Sequence, residues 1–128
     1  MNVNFKYNMQ RIYELPISFT FDQVLKFGEL TGDNGPVHSV DGVVQGGFIL
    51  SMLPQWLKDT SDGQEFIKGS KQAVSIMLDV KFRNKLIADQ KVLVKFTYIP
   101  SNKLTKINWE VYDREKEYCS GNWIIHKS

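Results

Sequence analysis

A run of apolar residues at helical spacing, Phe48, Ile49, Met52, Leu53, Trp56 and Leu57, comes after the paired glycine Gly46-Gly47 and limits what this chain can become. Spacings of one, three and four give one helix a broad apolar face, which another layer must cover. Pro54 lies inside the run, so the helix is expected to continue with a kink and to end between Lys58 and Gly63. The chain beyond this helix reads as strands. Val74, Ile76, Leu78, Val80 and Phe82 alternate with Ser75, Met77, Asp79 and Lys81, a period of two with one apolar face. Further strands are expected at 91–99, around Ile107, Trp109 and Val111, and at 118–127, with hairpin connections at 100–103 and 113–116. A helix followed by four consecutive strands predicts an α+β fold with an antiparallel sheet.

The segment before that helix is more broken. Residues 3–18 suggest an entering strand, which Pro16 confines to an edge or a bend. Thr20 and Gln23 then stand three apart ahead of Phe21, Val24, Leu25 and Phe27, the pattern of a capped helix beginning at Thr20 or Phe21. Gly28 weakens this helix, and Thr31-Gly32 ends it. From Asp33 to Gly42 the chain is rich in Asp, Asn, Gly and Pro, each a turn former.

Composition excludes several classes. The 128 residues, 42% of them hydrophobic, suit one folded domain. Lacking an apolar run of roughly 20 residues and an apolar core near Met1, the chain is expected in the cytoplasm with no membrane span. Its one cysteine, Cys119, allows no internal disulfide, and no Cys/His cluster has metal-ligand spacing. A formal charge of +2 gives no electrostatic case for nucleic acid. Lys81, Arg83 and Lys85 would share one strand face; a solvated face is the plain reading, phosphate contact the alternative.

The turn-rich segment carries the chemistry. Asp33 stands five residues before His38, and Gly46-Gly47 opens the long helix shortly afterwards. A carboxylate, an imidazole and unpartnered N–H groups at the positive end of a helix are parts suited to a polarised carbonyl compound. By residue type alone Asp33 is a turn former and His38 a surface residue. The spacing, and the helices on both sides, favour catalytic roles. Ser51 lacks a second histidine at a recognisable spacing, and Gln45 is assigned no chemistry. His126 and Cys119 read as structural, and Trp56, Trp109 and Trp123 as core or interface aromatics.

Gly32, Asp33, Asn34, Gly35, Pro36, Val37 and His38, followed by Val44, Gln45 and Gly46, resemble the mark of the MaoC-like, or (R)-specific enoyl-CoA hydratase, family of the hotdog superfamily. That mark is Gly-Asp-x-Asn-Pro-x-His, then a Val-His-Gly step into a long helix. Gly35 and Gln45 depart from it, standing where the family has asparagine and histidine, and only six residues separate His38 from Gln45. The resemblance implies a single hotdog domain over residues 1–128, a curved antiparallel sheet wrapped around a central helix. It implies reversible hydration of an enoyl thioester carried by coenzyme A or an acyl-carrier protein. Asp33 and His38 would activate water, and the thioester would bind at Gly46 and Gly47, its carbonyl on the Gly46 N–H. No cofactor is needed, and a homodimer is implied. Two alternatives stay open: a hotdog thioesterase, whose usual mark is His-Gly-Gly at the same helix, and a non-catalytic acyl-thioester-binding protein.

Overall fold

The alternation in the last third of the chain becomes a sheet. In a computed structural model, which describes residues 10–61, 73–101, 104–114 and 116–127, the first strand β1 is Arg11–Ile17. It is followed by β2 (Ala73–Leu78), β3 (Lys81–Phe82), β4 (Val92–Pro100), β5 (Leu104–Tyr112) and β6 (Glu117–Lys127). All pairings are antiparallel, in the order β1-β4-β5-β6-β2, with β3 also on β6. Inward-facing Val92, Val94, Phe96 and Tyr98 of β4 and Ile107, Trp109 and Val111 of β5 are buried, as period-two alternation requires. Tight turns join these strands, Ser101 N–H donating to the Leu104 carbonyl and Asp113 N–H to that of Lys116. Pro16 is tolerated because, among the described residues, β1 pairs only with β4. Of the entering strand expected at 3–18, residues 3–9 lie outside the described residues.

The strand expected over 74–82 is in fact two. Its register with β6 shifts between Ser75 and Met77, and Asp79 and Val80 separate β2 from β3. Asp79 turns there by exchanging bonds with Asn122: its N–H donates to the Asn122 carbonyl (3.0 Å) and its Oδ1 accepts from Asn122 N–H (2.8 Å). An uninterrupted hydrophobic alternation carries no mark of such an irregularity.

Helix α1 (Phe21–Thr31) begins as expected, with Thr20 Oγ1 accepting from Gln23 N–H and Gln23 Oε1 accepting from Thr20 N–H. It ends at Gly32, whose φ of 83° is the left-handed cap glycine favours. The segment read as turns contains a short helix, α2 (Pro36–Ser39), opened by a proline at a position where no helical N–H is missed. Helix α3 (Gly46–Lys58) runs through Pro54 and sends Ile49, Leu53, Trp56 and Leu57 into the core that the inner sheet residues form. Aromatic rings tie α1 to its first turn: Phe27 and Phe48 stack at 4.7 Å, and Phe19 meets both Phe48 and Trp56 edge-on. Buried Thr60 closes the far end, its hydroxyl bonded to the Leu57 carbonyl and the Tyr98 hydroxyl.

Because Leu53 is 1% exposed, Leu53→Ala should lower stability by about 2–5 kcal/mol in urea unfolding. Leu30→Ala, at a residue 87% exposed, should stay within about 0.5 kcal/mol of the parent.

Candidate active site

Close backbone approach builds the site. A Cβ on Gly28 would lie 2.9 Å from the Asp33 carbonyl oxygen and 3.0 Å from Asn34 Cβ, so glycine lets the chain fold back over α1 after Gly32. The segment then passes through α2 and is fastened to the stretch between β3 and β4. Val44 N–H donates to the Leu86 carbonyl (2.8 Å), Ala88 N–H donates to that of Gly42 (2.7 Å), and Val43 bridges Ile87.

Gln45 locks this arrangement. It is fully buried, and its Nε2 donates to the carbonyls of Val24 (2.9 Å) and Asp33 (3.1 Å), joining α1, the Asp33 turn and the start of α3. Both neighbours being acceptors, the amide nitrogen must point at them. One amide supplies both donors, which a neutral imidazole, with a single N–H, cannot do.

His38 is held by its Nδ1, which donates to the Val43 carbonyl at 2.7 Å. In the neutral ring this leaves the lone pair on Nε2, 3.3 Å from Asp33 Oδ1. The imidazole is only 16% exposed and the carboxylate 54%, so one partner is anchored and the other faces water. The contact joins the two residues singled out in the sequence.

The first N–H groups of α3 receive no side-chain cap from Gln45 and no acidic residue in the first turn, while Phe48 and Ile49 already bond to the Gln45 carbonyl. His38 and Gly46 line one cavity of about 500 Å3, walled by Ile49, Leu86 and Phe82, with Arg83 and Lys85 on its polar side. Asp33 meets this space through His38. Gly47 is outside the lining, against the Phe27 ring.

The other residues weighed in the sequence are placed elsewhere. Ser51 donates to the Phe48 carbonyl of its own helix. His126 pairs across the sheet with Leu104 and Val74, outside the cavity lining. Cys119 is buried, and burial, helped by the charge of Glu117, pushes its thiol up to about 12. Lys81, Arg83 and Lys85 do not share a strand face because β3 stops at Phe82; Arg83 pairs with Glu117 at 2.6 Å. Among the described residues no group of His, Cys, Asp or Glu could hold a metal ion, and no helix is long and apolar enough to cross a membrane. Sequence reasoning missed Gln45, Gly28 and Phe82. A polar residue before a long apolar helix and a glycine inside α1 were the available signals for the first two.

The same arrangement of sheet and helix occurs in proteins of known structure. An (R)-hydratase from A. caviae involved in PHA biosynthesis superposes with a TM-score of 0.74 at 12% identity, over 94% of this chain and 97% of that one. The fold is the hotdog fold. A second hotdog structure, the HadBC 3R-hydroxyacyl-ACP dehydratase complex from Mycobacterium tuberculosis, matches at 0.69 and 11% identity over 91% of this chain and 94% of that one. A fluoroacetyl-CoA-specific thioesterase, FlK, matches at 0.66 and 10% identity, over 93% of this chain and 86% of that one. Hotdog proteins of this shape thus include hydratases, dehydratases and thioesterases. No protein-family model and no curated protein matches the chain.

Gln45→Leu removes both donors, and should cost about 1–3 kcal/mol in urea unfolding while raising amide exchange around Gly32–Asn34. Cys119 should not react with Ellman's reagent at pH 8 in the folded protein and should react fully in urea, since its thiol remains protonated and covered.

Proposed function

We propose that the protein is a hydratase/dehydratase of enoyl and 3-hydroxyacyl thioesters carried by coenzyme A or an acyl-carrier protein. The reading rests on one observation: His38 Nε2 lies 3.3 Å from Asp33 Oδ1, and His38 shares its cavity with Gly46 at the start of α3.

A water bound beside Asp33 Oδ1 and His38 Nε2, which lie 3.3 Å apart, can hydrogen-bond to both and pass a proton to one of them as its oxygen bonds to Cβ of the enoyl group. The Cβ=Cα electron pair moves toward the thioester carbonyl, where negative charge develops. The N–H of Gly46, which lines the cavity at the positive end of the helix, is suited to holding that oxygen. Return of the proton to Cα completes addition of one water, and the reverse sequence is dehydration. Nothing else is exchanged, so the proposed reaction calls for no metal or redox cofactor.

Thioester hydrolysis is the competing chemistry because a thioesterase shares the fold. The α3 sequence has no acid before Asp59, and Ser51 is turned into its own helix. Hydration is therefore preferred. We take residues 1–128 as one hotdog unit working in the cytoplasm as a homodimer, in which a second copy would cover apolar side chains exposed near the site, such as Val37 and Val40.

With trans-2-butenoyl-CoA, the conjugated enoyl absorbance should fall without release of thiol, which Ellman's reagent reads without background from Cys119. Asp33→Asn and His38→Ala should each lower kcat/KM by about 100-fold or more, the first with unchanged melting and the second with stability lower by about 1–3 kcal/mol from the lost bond to Val43. Full activity in both variants contradicts the assignment, and thiol release in step with the absorbance loss favours hydrolysis.

A further inference from the structure

Phe82 is unusual among the cavity residues. Ile49, Val44 and Leu86 are buried core residues, whereas Phe82 is 52% exposed although it is large and apolar. Its ring tip rests on the start of α3: a Cβ built on Gly46 would lie 2.7 Å from Phe82 Cζ and within 3.2 Å of both Cε atoms. No room for another group remains between the ring tip and the Gly46 α-carbon. The backbone that carries the ring is fixed, with Phe82 paired to Cys119 and the Arg83 N–H bonded to the Tyr118 carbonyl at 2.9 Å. Only rotation of the side chain can clear the space over Gly46.

We propose that Phe82 determines acyl-chain length: its ring occupies the space over Gly46, so that short acyl groups fit between it and the Ile49–Leu86 wall while longer ones are excluded. The inference rests on the hydratase reading, in which the thioester carbonyl approaches Gly46 and the acyl chain extends from that point into the cavity. The cavity of about 500 Å3 takes the thioester and the acyl chain together, and the Phe82 ring narrows it at the Gly46 end. The apolar ring face also shields the reacting carbonyl from water on the side where the cavity opens. Each methylene transferred from water into an apolar site is worth about fourfold in affinity, so space opened by removing the ring would be read directly as improved use of longer chains.

The test compares kcat/KM for trans-2-butenoyl-CoA and trans-2-octenoyl-CoA in the parent protein, Phe82→Ala, Phe82→Leu and Phe82→Trp, with thermal melting of each. The parent should favour the four-carbon substrate. Phe82→Ala should raise the octenoyl-to-butenoyl ratio at least about tenfold, Phe82→Leu by less, and Phe82→Trp should lower it. The half-exposed position leads us to expect melting near that of the parent, and if Phe82→Ala does not fold, the Leu and Trp variants decide by the direction of their shifts. An active parent that favours the octenoyl substrate, or variants whose ratio is unchanged or moves the opposite way, would overturn the role of Phe82 and leave the hydratase reading standing. A parent that hydrates neither substrate, on coenzyme A or with the same acyl groups on an acyl-carrier protein, would overturn both.

Discussion

Burial of the α3 apolar face fixes the remainder of the molecule. Ile49, Leu53, Trp56 and Leu57 cannot stay in water without losing roughly 1.5–3 kcal/mol per large side chain, and the inner residues of β4 and β5 face the same problem. Each layer covers the other. Once α3 lies across the sheet, its first turn must emerge beside β3, since the ring of Phe82 meets Gly46 there. The segment before α3 then has one route back to α1, past Leu86–Ala88, and that route carries His38. The position of the proposed chemistry is thus a consequence of core packing.

Precision within that route comes from a few polar contacts made where water is scarce. The Gln45 amide ties three segments by two bonds to backbone carbonyls, and the His38 Nδ1 bond to Val43 orients the ring that faces Asp33. Such bonds are worth more in a covered environment than on the surface. The same contrast separates an anchored imidazole from an exposed carboxylate: His38 is packed beside the core, while Asp33 is held through its backbone and leaves its side chain toward solvent. A short connection between His38 and Gln45 can still build an ordered site, because every part of it is tied to a neighbouring element.

Much of this architecture was legible in the residues. Strict alternation in β4 and β5, the Thr20–Gln23 box and the helical stripe from Phe48 to Leu57 are local signals, and each appears as a strand or helix at the expected place. Asp33 and His38, singled out by their spacing, are also in contact. Features that depend on distant partners were not legible. The break between β2 and β3 comes from the way Asp79 bonds to Asn122, 43 positions away, and hydrophobic alternation cannot register it. Pro36 lies in a stretch with the composition of a turn, yet its fixed φ opens a helical turn. The role of Gln45 depends on two carbonyls, one of them 21 residues earlier in the chain, which no local pattern shows. Phe82 reads as one more apolar strand position until the sheet brings it over Gly46.

The most direct measurement of the central claim traces oxygen. The protein would be incubated with trans-2-butenoyl-CoA in water labelled with oxygen-18, and the products examined by mass spectrometry with fragmentation. Hydration at the Asp33–His38 site should yield intact 3-hydroxybutanoyl-CoA with the heavy oxygen in its 3-hydroxyl, and Asp33→Asn should abolish the label. Heavy oxygen found instead in a free carboxylic acid, with coenzyme A released, would contradict the account and establish thioester hydrolysis.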